Sequence, residues 1–228
     1  SRPYMYYESD VSSYELVRAR LSDEVAKKAQ VNAESPIVKL FSLKNKEPSV
    51  WSSASWVMPQ ATWVTYSICN RPPSDEVITD YSNALKFGLD VISSPPSYIR
   101  EVYEYLNLDV AKLPKLAPSG TPLCQASGAL AEEIGLKGAV VYNGMTDGNA
   151  SALAGGALER GDVSVYGGST SVIKAVSDRI VPHPSLYYHI HPIRGYLAGG
   201  ATGFTGAFLS WLAEKVMGVS VEEAMRYA

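Results

Sequence analysis

The distribution of glycine constrains the fold of this chain more than any other feature of its sequence. Twelve of its 18 glycines lie between Gly144 and Gly206, where short apolar segments alternate with turns. Such alternation is typical of strands that alternate with helices, and it predicts a mixed α/β fold. The predicted elements in and beside this region are a buried strand at residues 139–142, a small-residue helix at 149–158, and a hairpin with strands at 163–166 and 172–176.

The first third of the chain has a different pattern and predicts helices. A capping box that begins at Ser12 predicts a helix through about residue 33. Pro36, a residue type tolerated in a first turn, predicts the start of the next helix. Three of the four tryptophans follow between residues 51 and 63, and we expect them to pack in the core. An apolar helix is predicted at residues 202–217, and a further short helix at 221–225.

The charge balance limits the classes of partner. The chain has 20 Lys and Arg against 23 Asp and Glu, so it offers no basic field for nucleic acid or anionic lipid. Its two long uncharged stretches, 49–70 and 195–213, are interrupted by polar residues or glycines, and we expect neither to span a membrane. Cys69 and Cys124 are expected to be reduced thiols in a cytoplasmic protein. Small molecules or proteins remain as partners.

Glycine spacing removes several common nucleotide and hydrolase motifs. No two glycines lie two residues apart, and no pair five apart is followed by lysine, so neither a G-x-G-x-x-G fingerprint nor a Walker A loop occurs. The pairs four apart do not enclose a serine, which excludes the nucleophile elbow. His189 and His191 would share one face of a strand. A third ligand does not follow nearby, so we interpret them as ordinary polar residues rather than as a metal site.

Asp147 is the single charged residue between residues 138 and 158. A predicted strand leads into it and a predicted helix leads out of it. One interpretation is structural, since the carboxylate can cap the helix by accepting a backbone N–H bond. The other is functional, a general base at the carboxyl end of a strand, where open α/β sheets bind ligands. Both can hold together, because a cap fixes the carboxylate and leaves one oxygen free.

Two glycine-rich segments are candidate phosphate sites. The hairpin turn at residues 167–171, Gly-Gly-Ser-Thr-Ser, can direct backbone N–H groups and hydroxyls at an anion. The same residue types also dominate ordinary turns. Residues 199–206 open the helix predicted at 202–217, whose N-terminal amides form a second candidate. The alternative for that segment is tight helix packing.

Four segments occur in an order and spacing that resembles the FGGY carbohydrate kinases, a family that includes xylulose, ribulose, gluconate and glycerol kinases. They are Thr-Asp-Tyr-Ser-Asn-Ala at residues 79–84, Thr-Asp-Gly-Asn-Ala at 146–150, Gly-Ser-Thr-Ser at 168–171 and Thr-Gly-Ala-Phe-Leu-Ser-Trp-Leu at 205–212. The resemblance covers nearly the whole chain. It implies an α/β, actin-like ATPase (ribonuclease H-like) fold of two domains, incomplete at both ends, because the family's opening phosphate strand and closing adenosine site are missing.

The resemblance also implies two domains that bind different ligands. With the turn at residues 159–162 as the boundary, residues 1–160 would be most of the N-terminal sugar-binding domain, lacking its first strands. Residues 161–228 would be the start of the C-terminal nucleotide-binding domain. ATP and Mg²⁺ are the implied cofactors and a sugar or polyol is the implied substrate. A homodimer is left open.

Carried over residue by residue, the resemblance makes Asp147 the general base and places Tyr81, Asp147 and Gly148 at the sugar. The residues that it assigns to the phosphates of ATP are Gly168, Ser169, Thr170, Gly206 and Ser210, and it assigns no protein side chain to a metal. The implied function is ATP-dependent phosphorylation of a sugar or polyol hydroxyl, with a pentulose such as xylulose favoured. Leu40 lies near a position where glycerol kinases carry tryptophan, which argues against glycerol.

Two alternatives to a sugar kinase stay open. The chain can belong to a non-catalytic or regulatory member of the actin-like ATPase superfamily, such as a nucleotide-regulated assembly protein. It can also act as a ligand-binding module without phosphotransfer. A polyol contact at Tyr81 beside a base at Asp147 favours the kinase, because an assembly ATPase has no need of one. We expect the isolated chain to be inactive, since it lacks the family's first phosphate strand and adenosine site.

Overall fold

The computed structural model describes residues 4–5, 7–70, 77–181, 183 and 186–226 of the chain. The chain divides into two compact units, Ser1–Thr146 and Asp147–Ala228. Both units combine helices with strands, in agreement with the predicted α/β class. The predicted division into a sugar domain, 1–160, and the start of a nucleotide domain, 161–228, stays a prediction.

The first unit contains most of the helices. Its described helices are α1 (Val11–Arg20), α2 (Asp23–Lys28), α3 (Pro36–Lys46), α4 (Pro48–Ser53), α5 (Gln60–Ile68), α6 (Tyr81–Ala84), α7 (Arg100–Tyr105) and α8 (Gly128–Glu133). Its described strands are β1 (Ile78–Asp80), β2 (Leu89–Asp90), β3 (Ser97–Tyr98), β4 (Lys115–Ala117), β5 (Pro122–Gln125) and β6 (Val140–Tyr142). Across the described part of the chain, every helix is too short or too polar to cross a bilayer.

The N-terminal helix is interrupted, so the prediction of one helix from Ser12 through residue 33 is wrong. The N-cap of α1 is Asp10 rather than Ser12, and its side chain accepts the Ser13 N–H at 3.0 Å. At Leu21 the backbone is extended, and Ser22 begins α2 as a second N-cap. A serine followed by acidic residues is good capping chemistry, and here it divides one apolar stripe between two helices.

The helix predicted to start at Pro36 is confirmed as α3, and it is central to the core of the first unit. The buried core residues of α1, α3, α4 and α7 are Val17, Ile37, Val38, Leu40, Phe41, Leu43, Trp51, Val102 and Tyr103. Complete burial of an aliphatic or Phe side chain contributes about 1.5–3 kcal/mol. Trp51 packs in this core as expected, but Trp63 is 57% exposed, so the expectation of core packing is wrong for Trp63.

The strands of the first unit form three separate pairs. β1 pairs with β4 in parallel, while β2 with β3 and β5 with β6 are antiparallel. The strand predicted at residues 139–142 is present as β6, but the prediction that it is buried is wrong, because Val140 and Tyr142 are 49% and 56% exposed. Among the described residues, the sheet that contains β6 has two strands. The apolar sequence of residues 139–142 does not indicate that the side chains of this small sheet are left exposed.

Cys69 and Cys124 form a disulfide, with their Cα atoms 5.9 Å apart, so the expectation of reduced thiols is wrong for this structure. Cys69 follows the end of α5 and Cys124 lies in β5. Close by, the Ser127 N–H donates to the Ile68 carbonyl at 3.1 Å. Both links join α5 to the segment that contains the β5–β6 pair. The 55-residue separation of the cysteines hides this proximity in the sequence.

The second unit is built on one four-stranded antiparallel sheet. Its elements are α9 (Asp147–Ala154), β7 (Val163–Gly167), β8 (Ser171–Ser177), β9 (Tyr187–Ile190), β10 (Tyr196–Thr202), α10 (Gly206–Trp211), a π-helical turn (Leu212–Met217) and α11 (Val221–Ala224). The strand order is β7-β8-β10-β9, and β7 and β8 confirm the predicted hairpin. A small buried cluster supports the sheet and consists of Ala152, Ala157, Val176 and Leu197.

The helix predicted at residues 202–217 is wrong at its start. Thr202 is the last residue of β10, which pairs with β8 on one edge and β9 on the other, and α10 begins only at Gly206. Alanine and glycine have low strand propensity, so pairing decides the conformation here. Residues 196–199 pair on both edges, and residues 200–202 pair with β8. The glycine at 199 is required by this packing, because a Cβ there would lie 2.5 Å from the Ile173 carbonyl oxygen.

Candidate functional site

Asp147 is the first residue of α9, and it is exposed. Its Oδ1 accepts the N–H of Gly148 at 2.6 Å. The start of a helix favours an anion, because the first N–H groups carry partial positive charge. The Asp147 carboxylate therefore accepts a backbone N–H while its side chain remains open to solvent, and its role as a general base stays a prediction.

Lys174 is the charged residue buried beside the first turn of α9, and the sequence analysis did not identify it. Its residue surface is 5% exposed, and its Nζ donates to Oδ1 of Asn149 at 3.2 Å. Asn149 is completely buried, and its Nδ2 donates to the Ile190 carbonyl at 3.4 Å. These contacts connect β8, α9 and β9 directly behind Asp147.

The charge of Lys174 is coupled to that of Asp147. Burial lowers the pKa of Lys174 below its ordinary value of 10.5, and the nearby Asp147 carboxylate acts in the opposite direction. A buried ammonium is costly unless a negative charge and hydrogen bonds compensate it. Asp147 and Asn149 supply both kinds of compensation.

A sequence signal for Lys174 does exist. Within β8, Lys174 and Val176 are both buried while Ile173 is exposed, so lysine occupies an inward position of an alternating strand. Charged residues are rarely found at such positions unless they have partners. A lysine in the inward register of a predicted hairpin is therefore an indication of function that periodicity makes visible.

The two glycine-rich segments come together in the second unit. The Gly168 carbonyl accepts the N–H of Gly206 at 3.0 Å, and the Ser169 carbonyl accepts the N–H of Thr205 at 3.0 Å and of Ala207 at 3.3 Å. The hairpin turn is thus hydrogen-bonded to the start of α10. The amides predicted as a second phosphate site are used to hold the turn, and residues 199 and 200 lie in β10 instead.

The predicted phosphate-binding residues differ in exposure. Ser169 and Thr170 are exposed at the tip of the β7–β8 hairpin, and Gly168 is half-buried, with its N–H donating to the Thr170 carbonyl at 2.8 Å. Gly206 and Ser210 are half-buried at the start and near the end of α10. The second unit therefore presents two hydroxyls at a turn whose backbone is fixed by hydrogen bonds.

A buried network around Asp80 organises the Thr-Asp-Tyr-Ser-Asn segment, residues 79–83, in the first unit. Asp80 is 2% exposed and caps α6, where its Oδ1 accepts the N–H groups of Ser82 at 2.8 Å and Asn83 at 3.0 Å. The Ser82 hydroxyl also donates to Asp80 and itself accepts the Thr146 N–H at 2.8 Å. Thr146 directly precedes Asp147 in the chain, so this network fixes the peptide that leads into the predicted base.

Tyr81, the predicted sugar contact, is the first residue of α6 and is half-buried. It lies in the first unit, whereas Asp147, Gly148 and the predicted phosphate-binding residues lie in the second. Asp80 and Ser82 flank Tyr81 in the motif, and the sequence analysis gave them no role. Their signal was the Asp-x-Ser-Asn spacing, which is typical of a side-chain cap.

His191 is an internal hydrogen-bonding residue. It is 3% exposed, and its Nδ1 lies 3.0 and 3.1 Å from the N–H groups of Ile193 and Arg194. Its Nδ1 is therefore an acceptor, which makes Nε2 the donor to the Ala157 carbonyl at 2.9 Å. His189 lies in β9. Within the described ranges, three or more His, Cys, Asp or Glu side chains do not cluster in a way that could hold a metal ion.

The fold of this chain is similar to that of solved carbohydrate kinases. Xylulose kinase from Rhodospirillum rubrum matches 95% of the chain with a TM-score of 0.83 and 24% identity. Gluconate kinase from Lactobacillus acidophilus and Plasmodium falciparum glycerol kinase with ADP each match 89% of it with a TM-score of 0.76, at 19% and 15% identity. No protein-family model matches the chain.

These similarities confirm the predicted α/β fold of the actin-like ATPase class. The chain spans 44% of the length of the Rhodospirillum rubrum enzyme and 42% of each of the other two. At these identities the comparisons establish the fold. The activity must be argued from the residues of the site.

Proposed function

We propose that this chain is part of an FGGY carbohydrate kinase that transfers the γ-phosphoryl group of ATP to a sugar or polyol hydroxyl. The observation that carries the proposal is the exposed carboxylate of Asp147, bonded to the Gly148 N–H at the start of α9. The same unit carries the Gly-Ser-Thr turn, in a fold shared with sugar and polyol kinases.

Asp147 is the proposed general base. Phosphoryl transfer needs an acceptor hydroxyl aligned with the phosphoryl group and a carboxylate that accepts its proton as the oxygen attacks. The Gly148 N–H holds Oδ1 in place, so the orientation of the carboxylate is set before substrate binds.

The Gly-Ser-Thr turn is the proposed contact for the outer phosphates of ATP. The exposed hydroxyls of Ser169 and Thr170 are donors that fit phosphate oxygens, and Gly168 leaves the backbone accessible to them. Gly206 and Ser210 belong to the helix that supports this turn. Mg²⁺, bound mainly through the phosphates, would neutralise charge that develops during transfer.

The proposed acceptor is a pentulose such as xylulose, with Tyr81 and Gly148 as further contacts to it. Leu40 stands near the position where glycerol kinases carry tryptophan, which disfavours glycerol. The cytoplasm is the proposed compartment, because ATP-dependent sugar kinases draw on its nucleotide pool. Its reducing conditions would open the disulfide between Cys69 and Cys124. The net charge of −3 supports a small-molecule substrate rather than nucleic acid.

The decisive experiment measures ADP release by the complete protein that carries this chain, with pentuloses, gluconate and glycerol as acceptors. We expect stimulation by a pentulose. Asp147→Asn should reduce the stimulated rate by about 10²- to 10⁴-fold, the usual contribution of a general base. Asp162→Asn is the matched control, since the Asp162 carboxylate accepts the backbone N–H groups of Leu158 and Glu159.

The proposal fails if Asp147→Asn keeps its sugar-stimulated rate, because asparagine preserves the shape and the backbone contact of this residue. ATP hydrolysis that no sugar stimulates would favour the regulatory ATPase alternative. The 228-residue chain alone is expected to show little or no turnover.

A further inference from the structure

Lys174 is a buried charged residue to which the proposed reaction gives no role. It lies in β8 opposite Ser164 of β7 and Gly199 of β10, and 95% of its surface is removed from solvent. Lysine is almost never buried to this degree unless it is paired. The position therefore requires an explanation beyond the packing of the sheet.

Two glycines make room for this side chain. A Cβ at residue 199 would lie 3.1 Å from Cγ of Lys174, and a Cβ at residue 148 would lie 3.0 Å from its Nζ. The stem of the lysine thus passes the backbone of β10, and its ammonium ends against the backbone of Gly148. Gly148 is the residue whose N–H binds the Asp147 carboxylate.

The ammonium has two partners in the first turn of α9. Its hydrogen bond goes to Oδ1 of Asn149, whose other side-chain atom, Nδ2, donates to the Ile190 carbonyl. Its charge is compensated by Asp147, whose electrostatic effect opposes the lowering of the Lys174 pKa by burial. Lys174 therefore acts on three consecutive residues. Its ammonium lies against Gly148 and donates to Asn149, and its charge interacts with that of Asp147.

We propose that Lys174 is a positioning residue for Asp147, holding residues 147–149 in place through Asn149 and Gly148 while its charge balances the carboxylate. This inference rests on the proposed function, because Asp147 needs a fixed orientation only if it acts on a substrate. Lys174 itself does not touch the sugar or the nucleotide. It acts through the first turn of α9.

The first test measures the charge coupling and needs no enzymatic activity. Lysine labelled with ¹³C at Cε is titrated by NMR in the 228-residue chain. Asp147→Asn removes the compensating charge, so the pKa of Lys174 should fall further below its ordinary value. Asp162→Asn is the control and should leave it unchanged, because the Asp162 carboxylate is bonded to the backbone N–H groups of Leu158 and Glu159. An unchanged Lys174 titration in Asp147→Asn would overturn the proposal.

The second test separates positioning from stability, using the complete protein and its sugar kinase assay. Lys174→Met keeps the stem and removes the charge and the hydrogen bond. We expect kcat to fall about 100-fold, the usual effect of misplacing a reacting group, with little change in the KM for the sugar. Lys115→Met replaces an exposed lysine of β4 and should not change kcat. A normal kcat per folded molecule in Lys174→Met would reduce Lys174 to a structural role.

Asn149→Leu provides an independent variant in case Lys174→Met fails to fold. It removes the Oδ1 acceptor of the Lys174 ammonium while leaving the charge in the protein, so kcat should fall with the KM for the sugar preserved. A normal kcat in this variant contradicts the positioning role. If the complete protein phosphorylates no sugar at all, the proposed function fails, and the titration still decides whether Lys174 is coupled to Asp147.

Discussion

The carbonyl oxygen of Gly168 and the amide of Gly206 form a 3.0 Å hydrogen bond that joins the hairpin turn to the start of α10. The approach is so close that a Cβ at residue 206 would lie 2.3 Å from that oxygen. The turn can therefore hold this position only if residue 206 is glycine. Ser169, whose carbonyl accepts two further amides of the same segment, depends on it too.

Gly206→Ala should displace the turn and weaken the proposed phosphate contacts. We expect the KM for ATP to rise more than the KM for sugar in the complete protein, together with a loss of about 1–3 kcal/mol in the free energy of unfolding. Steady-state kinetics and urea denaturation measure the two effects. Gly203→Ala is the control, because a Cβ at 203 meets no atom within 4 Å. Equal KM values for ATP in the two variants would argue against the turn as a phosphate contact.

Ser82→Ala should loosen the peptide that precedes Asp147. The Thr146 N–H would lose its hydrogen-bond acceptor at 2.8 Å, and because Thr146 is half-buried we expect a cost of about 1 kcal/mol, the lower end of the range for a buried donor. Urea denaturation should show this loss, with Ser52→Ala as the control, since the exposed Ser52 hydroxyl only donates to the Ser49 carbonyl. A loss no larger than that of the control would mean that the Asp80 network does not stabilise this segment.

Asp10 should make the stability of the chain dependent on pH in the acidic range. Lys46, whose ammonium lies 2.6 Å from Oδ2, and then Ser42 hold the pKa of Asp10 well below its ordinary value of 3.8. Because the folded-state pKa is the lower one, the stabilisation is complete well above pH 3.8 and is lost as the pH falls below it. At neutral pH, Asp10→Ala should cost about 1–2 kcal/mol through loss of the α1 cap.

The measurement for Asp10 is the free energy of unfolding of the wild type and the variant across this pH range. The difference between them should shrink as the pH is lowered. Asp23→Ala, at a side chain that is 98% exposed, should change stability by less than about 0.5 kcal/mol. A difference for Asp10 that stays constant with pH would contradict the role of its charge.

The disulfide between Cys69 and Cys124 should contribute to stability under oxidising conditions. It closes a loop with a sequence separation of 55 residues, and a cross-link of this length contributes about 2–4 kcal/mol. Thiol labelling of the unfolded, unreduced chain should detect no free cysteine, and reduction should lower the urea midpoint. The Cys69→Ser/Cys124→Ser double variant should match the reduced protein in both oxidised and reduced buffers. Two reactive thiols before reduction would disprove the pairing.

Local sequence predicted the elements whose signals are local. Pro36 starts α3 as expected, and paired glycines between β-branched segments give the β7–β8 hairpin. The helix prediction failed at its start, because the alanines and glycines before residue 202 become a strand through pairing with β8, and at residues 196–199 also with β9. The prediction of Ser12 as the N-cap also failed. Asp10 caps α1 instead, and hydrogen bonds from Lys46 and Ser42 hold its carboxylate in place.

The residues of the candidate site could also be predicted only where their sequence signal is local. Asp147 stood out as a lone charge in an apolar stretch, and the structure leaves it exposed at a helix start. Its supports were not visible in the same way, since Lys174 is 27 residues away and reaches α9 only through the sheet. The pairing of Cys69 with Cys124 also depends on the folded arrangement. The roles of the site residues in binding and catalysis remain predictions.

Gly148 and Gly199 face the same lysine but for different reasons, and this has an evolutionary consequence. A side chain at 148 would meet only the end of Lys174, whereas one at 199 would meet the Ile173 backbone as well. Among homologous sequences, position 148 should therefore tolerate larger residues wherever position 174 has become shorter. Position 199 should stay glycine in either case. An alignment of homologues should therefore show covariation between positions 148 and 174 and an invariant glycine at position 199.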